Sequence, residues 1–124
     1  MQEPKRKTIL LIEDDAGIVE MLQLVLETEG YQVDLLARGT AMPTLREPFP
    51  DVILLDLLLS GMDGQAICRH LKGQDTTHHI PVILMSANKE VPQIAREIGA
   101  DGWLAKPFET EALLTLLETT AAKG

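Results

Sequence analysis

Residues 51–64 read DVILLDLLLSGMDG, and the run from Val52 to Leu55 decides the fold. Four apolar residues closed by Asp56 are too few for a buried helix. They suit a central parallel strand covered on both faces, which reads as a continuous apolar run. The same shape occurs twice more, at Thr8–Ile12 ahead of Glu13-Asp14-Asp15 and at Pro81–Met85 ahead of Ser86. Gln32–Leu36 and Gly102–Ala105 are weaker runs and read as peripheral strands, the second leading into Lys106-Pro107.

Helical patterns fill the intervals. Ile18, Met21, Leu22 and Val25 recur at i, i+3, i+4 and i+7, with Asp15 placed to cap this helix and Gly30 to stop it. The segment after Gly39 is short and contains Pro43, which makes its helix the weakest of five. Gly64–Leu71 forms a third helix, followed by a polar loop from Gly73 to His79. Val91, Ile94, Ala95 and Ile98 repeat the stripe, and Leu113, Leu116 and Leu117 face the core near the C-terminus. Five strands each followed by a helix predict an α/β, doubly wound, five-stranded parallel sheet with helices on both faces, since an eight-stranded barrel needs about twice the length. The flavodoxin-like strand order 2-1-3-4-5 is adopted from that class of sheet. In such sheets ligands bind beyond the carboxyl ends of the strands where the winding reverses, here between the first and third.

The bulk properties narrow the function. A chain of 124 residues with 45% hydrophobic content fits one domain, expected over 8–122 after a short basic lead-in at 1–7, with no effector domain. A net charge of −8 disfavours direct nucleic acid and anionic lipid as partners. Lys5-Arg6-Lys7 reads as a solvated lead-in. The lone Cys68 fits a small core residue and a reducing compartment, and with no membrane-length apolar run or secretion signal the expected location is cytoplasmic. His78 and His79 read as solvated loop residues.

The chemistry gathers at the strand ends. Glu13, Asp14 and Asp15 follow the first strand and Asp56 closes the third, so the winding reversal collects carboxylates that repel one another. Two like charges 4 Å apart cost about 4 kcal/mol at an effective dielectric of 20. A divalent cation offsets that, and few, oxygen-only ligands point to Mg²⁺. Ser86 and Lys106, at the ends of the fourth and fifth strands, add a hydroxyl and an ammonium to the same rim. A transferred phosphoryl group needs this set: a cation, a positive side chain and hydrogen-bond donors.

TILLIEDD, DVILLDLLLSGMDG, PVILMSA and GADGWLAKPF resemble, in order, the four signature segments of bacterial response-regulator receiver domains. The resemblance covers nearly the whole chain. It implies a phosphoacceptor signalling domain of a two-component phosphorelay, not an enzyme in the turnover sense, with self-phosphorylation and self-dephosphorylation chemistry. Glu13 and Asp14 become metal-site acids, Asp56 the phosphoryl acceptor and metal ligand, and Leu58 the donor of a backbone carbonyl to Mg²⁺, or to Mn²⁺ in its place. Ser86 becomes the switch hydroxyl, Ala87 supplies a backbone amide, and Lys106 binds phosphate. The donor implied is a sensor histidine kinase, a histidine phosphotransfer protein or a small acyl phosphate, and output runs through a downstream protein partner. The bulky Leu58 and Asn88 are placed to affect hydrolysis of the acyl phosphate, and Lys106-Pro107 resembles the family's cis turn.

Two residues depart from the family pattern. Ser60 stands where many members have Pro, and Trp103 where Tyr or Phe is usual, so whether an indole can serve as the moving switch ring is open. Three other functions compete with this reading. A haloacid-dehalogenase-type phosphatase needs a second Asp two residues after the nucleophile, where this chain has Leu58. A flavodoxin-like cofactor carrier needs a hydroxyl- and glycine-rich loop where this chain has Glu13-Asp14-Asp15. A pseudo-receiver would bind partners without phosphorylation.

Overall fold

A computed structural model of the chain describes residues 7–36, 45, 47–59 and 62–123. Five parallel strands form one sheet: β1 (Thr8–Ile12), β2 (Gln32–Leu36), β3 (Val52–Asp56), β4 (Val82–Ser86) and β5 (Gly102–Ala105). Their order is β2-β1-β3-β4-β5, as expected. Four helices are described: α1 (Ala16–Thr28), α2 (Gly64–Lys72), α3 (Val91–Ile98) and α4 (Thr110–Lys123). The helix expected after Gly39 lies outside the described residues. Each strand boundary falls within one residue of expectation. A short antiparallel pairing of Leu58–Leu59 with Met62–Asp63 was not foreseen.

The strands' alternation divides the core in two. Leu10, Ile12, Ile53 and Leu55 face one side with Ile67, Cys68 and Leu71 of α2 and Val91, Ala95 and Ile98 of α3. Ile9, Leu11, Val52 and Leu54 face the other with Val19, Leu22 and Leu26 of α1 and Leu113 and Leu117 of α4. β3 and β4 are buried along their whole length, whereas β2 and β5 are largely open. The continuous apolar runs and the weak ones thus mark central and peripheral strands.

Local caps agree with the reading of the helix ends. Asp15 Oδ1 accepts the Ile18 amide at 3.1 Å, satisfying an orphan donor of the first turn. Gly30, just past the end of α1, has φ of 93°, a conformation that favours glycine. The phase of α1 differs from expectation. Val19, Leu22 and Leu26 are buried, while Met21 is 41% exposed and Ile18 half-buried. Apolar residues occupy nearly every turn position of this helix, so periodicity alone left its rotation undetermined, and the fit against β1 and α4 selects it.

Candidate functional site

Parallel pairing brings the carboxyl ends of β1, β3, β4 and β5 to one rim. Ile12 is in register with Leu55, and Asp56 with Met85. The Leu57 amide donates to the Met85 carbonyl at 3.0 Å, and the Lys106 amide to the Ser86 carbonyl at 2.8 Å. These bonds continue the sheet just past its last regular residues and fix the chain where Asp56 and Lys106 project.

Glu13, Asp14 and Asp56 each place a carboxylate oxygen within 4.8 Å of the other two. Glu13 and Asp56 are buried, and Asp14 is half-buried. The Lys106 ammonium enters between them, 2.9 Å from Glu13 Oε1 and 3.4 Å from Asp56 Oδ1. The other Glu13 oxygen, Oε2, accepts the amides of Asp14 and Asp15 at 3.1 and 3.3 Å. Both oxygens of Glu13 therefore already have donors. A cleft of about 240 Å³ opens over this cluster, bordered by Asp14, Asp15, Asp56, Ala87 and Lys106 among others.

Burial pushes the Glu13 carboxyl above its ordinary range; Lys106 pulls it back and Asp56 pushes it further up. Burial opposes the Lys106 charge, yet its hydrogen bond to Glu13 and the Asp56 carboxylate hold the ammonium above its ordinary range. The donor set is all oxygen and carries more negative charge than Lys106 neutralises, which suits a hard divalent cation.

Ser86 is buried, and its Oγ accepts the Asn88 amide at 3.0 Å. Asn88 Oδ1 in turn accepts the Glu90 amide at 2.8 Å, leading into α3. The hydroxyl proton of Ser86 remains to be donated. Asn88 acts here as part of a turn.

Leu58 lies two residues past Asp56 in the short antiparallel pairing, opposite Asp63. Lys106-Pro107 is cis, as expected, and so is Glu47-Pro48. Trp103, on β5 opposite Leu84, points outward and is 43% exposed. It stands apart from the acidic cleft, on a groove that Arg96 and Leu116 also border. Cys68 is buried in the core, with burial pushing its thiol up to about 11. His78 and His79 are exposed in their loop, His79 meeting Phe49 edge-on.

Two features escaped the sequence reading. A Cβ on Gly64 would stand 2.5 Å from the Asp56 carbonyl oxygen and 2.6 Å from Leu57 Cα, so the absence of a side chain there lets α2 begin against the end of β3. The signal was Gly64 itself, read only as the first residue of the third helix. Ile18 and Met21, placed on the core stripe by periodicity, line a groove beside the site, Ile18 while still packing against the core.

The family model for the response regulator receiver domain matches residues 9–118. The chain is 39% identical over 115 residues to the phosphate regulon transcriptional regulatory protein PhoB of Escherichia coli, covering 90% of this chain and 50% of that protein. It thus spans about half the length of the curated relatives it matches. A putative response regulator from Chloroflexus aurantiacus superposes with a TM-score of 0.87 at 32% identity, covering 95% of this chain and 99% of that one. The receiver domain of sensor histidine kinase PA1611 from Pseudomonas aeruginosa, solved with a magnesium ion coordinated in its active site cleft, gives a TM-score of 0.81 at 28% identity, covering 95% and 99%.

Proposed function

The chain belongs to the response regulator receiver domain family, and on that premise we propose that it is a phosphoacceptor whose residues 8–122 take a phosphoryl group onto Asp56. The observation that carries this reading is the placement of Asp56, buried at the end of β3, beside the carboxylates of Glu13 and Asp14 and 3.4 Å from the Lys106 ammonium. Mg²⁺, or Mn²⁺ in its place, would be held by Asp14, Asp56 and the Leu58 carbonyl. Glu13, whose oxygens already accept three hydrogen bonds, is the weakest direct ligand of the acids. The cation supplies charge neutralisation when bound.

This chain's own groups do the rest. An Asp56 carboxylate oxygen attacks the phosphorus of the donor in line, the bond to the leaving group breaks, and the leaving group takes the electron pair. A carboxylate needs no base, so the site works by alignment and charge. Lys106 meets one phosphoryl oxygen while keeping its contact with Glu13. The Ala87 amide and the Ser86 hydroxyl meet another, Ser86 giving the proton that its turn with Asn88 leaves uncommitted. Water attack on the phosphorus of the product releases inorganic phosphate and regenerates the Asp56 carboxylate. A sensor histidine kinase or histidine phosphotransfer protein in the cytoplasm is the donor. Output passes to a protein partner, with Ser86 and Trp103 as the switching pair.

Intact-mass analysis after acetyl phosphate, with and without Mg²⁺, tests the reading. The parent should gain one phosphoryl group in a Mg²⁺-dependent manner and Asp56→Asn none, with its fold unchanged by circular dichroism. Equal gain by the Asn variant would refute the acceptor assignment, and no gain by the parent would point to a pseudo-receiver.

A further inference from the structure

Beside the acidic cleft lies an apolar groove of about 300 Å³, lined by Ile18, Met21, Ala87, Lys106, Pro107 and Phe108. Ile18, Ala87 and Lys106 line both cavities, so the two adjoin. The groove exists because α1 is turned to bury Val19, Leu22 and Leu26, which leaves Ile18 and Met21 facing the residues after β5.

Given that Asp56 is the phosphoryl acceptor, we propose that this groove seats the leaving group of small acyl phosphates and makes the site prefer those whose acyl group is apolar and aromatic. A donor has two halves of different chemistry. Its phosphoryl group belongs in the cleft against Lys106. Its leaving group departs as a carboxylate anion, which a cation stabilises and further carboxylates do not. The Lys106 side, where the groove opens, carries a cation and apolar walls. An enclosed apolar cavity of about 150 Å³ holds a benzene molecule, so this groove has room for one phenyl ring. The methyl of acetyl phosphate leaves most of it unfilled. The transfer balances without any further reactant: the Asp56–phosphorus bond forms, the phosphorus–oxygen bond to benzoate breaks, and benzoate leaves with the electron pair and no proton.

The experiment measures second-order rate constants for Asp56 phosphorylation by benzoyl phosphate and by acetyl phosphate, in Mg²⁺, by intact mass. Partial burial of a ring should favour benzoyl phosphate by about fivefold. Benzoate is also a slightly better leaving group than acetate, so the decisive quantity is the change in the benzoyl-to-acetyl ratio on substitution, in which that difference cancels. Met21→Gln keeps the length and helix preference of an exposed side chain and should lower the ratio about threefold. Phe108→Ala should lower it at least as much. If both donors label Asp56 and neither substitution moves the ratio, the groove is not a leaving-group site and the acceptor assignment stands. If neither donor labels Asp56, both readings fall.

Discussion

The Lys106 ammonium donates to Glu13 at 2.9 Å across 93 residues of sequence, a shorter contact than the 3.4 Å it keeps to Asp56. Glu13 is 1% exposed at its side chain, so Lys106 is the counter-charge of a carboxylate with almost no access to water. The lysine therefore stabilises the acidic cluster without metal, in addition to the phosphoryl contact proposed for it.

Lys106→Met should destabilise the metal-free protein by roughly 3 kcal/mol near pH 8, because removing one partner strands a buried charge. The pH dependence has a definite sign. Glu13 is already held above its ordinary 4.5 by burial, against the pull of Lys106, and losing Lys106 raises it further. A carboxyl whose folded value exceeds its unfolded one binds more protons when folded, so its cost grows as pH rises above the unfolded value. The penalty should accordingly shrink toward pH 5, and Mg²⁺ should restore more stability to the variant than to the parent. Urea unfolding at the two pH values checks this, and a penalty independent of pH would break the link to Glu13.

Much of this was legible in the chain. β1, β3 and β4 were readable because strands buried on both faces have no polar alternation, and the acids, Ser86 and Lys106 follow those runs directly. The rotation of α1 was not readable, because Ile18, Val19, Met21, Leu22, Leu24, Val25 and Leu26 offer several apolar stripes and only the packed sheet selects one. The pairing of Lys106 with Glu13 joins the two ends of the domain, and no local pattern encodes it. The two-residue pairing after Asp56 is too short to have a period. That the Ser86 hydroxyl already accepts the Asn88 amide depends on backbone angles which residue types alone do not fix.

Trp103 should report engagement of the site. Its indole is partly in water, and Ala95, Ala100 and Gly102 leave space around it. Moving a population from 1:99 to 99:1 takes about 5.5 kcal/mol, within reach of a few charge-assisted hydrogen bonds at roughly 1.5–3 kcal/mol each. Beryllofluoride with Mg²⁺ should shift Trp103 emission to shorter wavelength, and Ser86→Ala should suppress that shift more than it weakens binding. A constant spectrum with binding demonstrated by calorimetry would remove Trp103 from the switch and leave the turn from Ser86 to Glu90 as the route.

Gly64 makes the sharpest structural demand near the acceptor. An added methyl would stand 2.5 Å from the Asp56 carbonyl oxygen and 2.6 Å from Leu57 Cα, and backbone atoms cannot swing aside as a side chain can. Overpacking of this kind costs about 1–3 kcal/mol. Relief must come from moving either the start of α2 or the end of β3, and the second displaces the carboxylate that must lie in line with the donor. A misplacement near 1 Å can cost on the order of a hundredfold in rate. Gly64→Ala should therefore lower stability and slow Mg²⁺-dependent phosphorylation by at least about tenfold, an effect that survives under conditions where the variant is fully folded. Gly17→Ala is the control: its added methyl meets only Asp15 Oδ1, at 3.4 Å, and helix propensity favours the change by up to about 1 kcal/mol. If Gly64→Ala matched that control in both stability and rate, the contact between α2 and the acceptor strand would not govern where Asp56 sits.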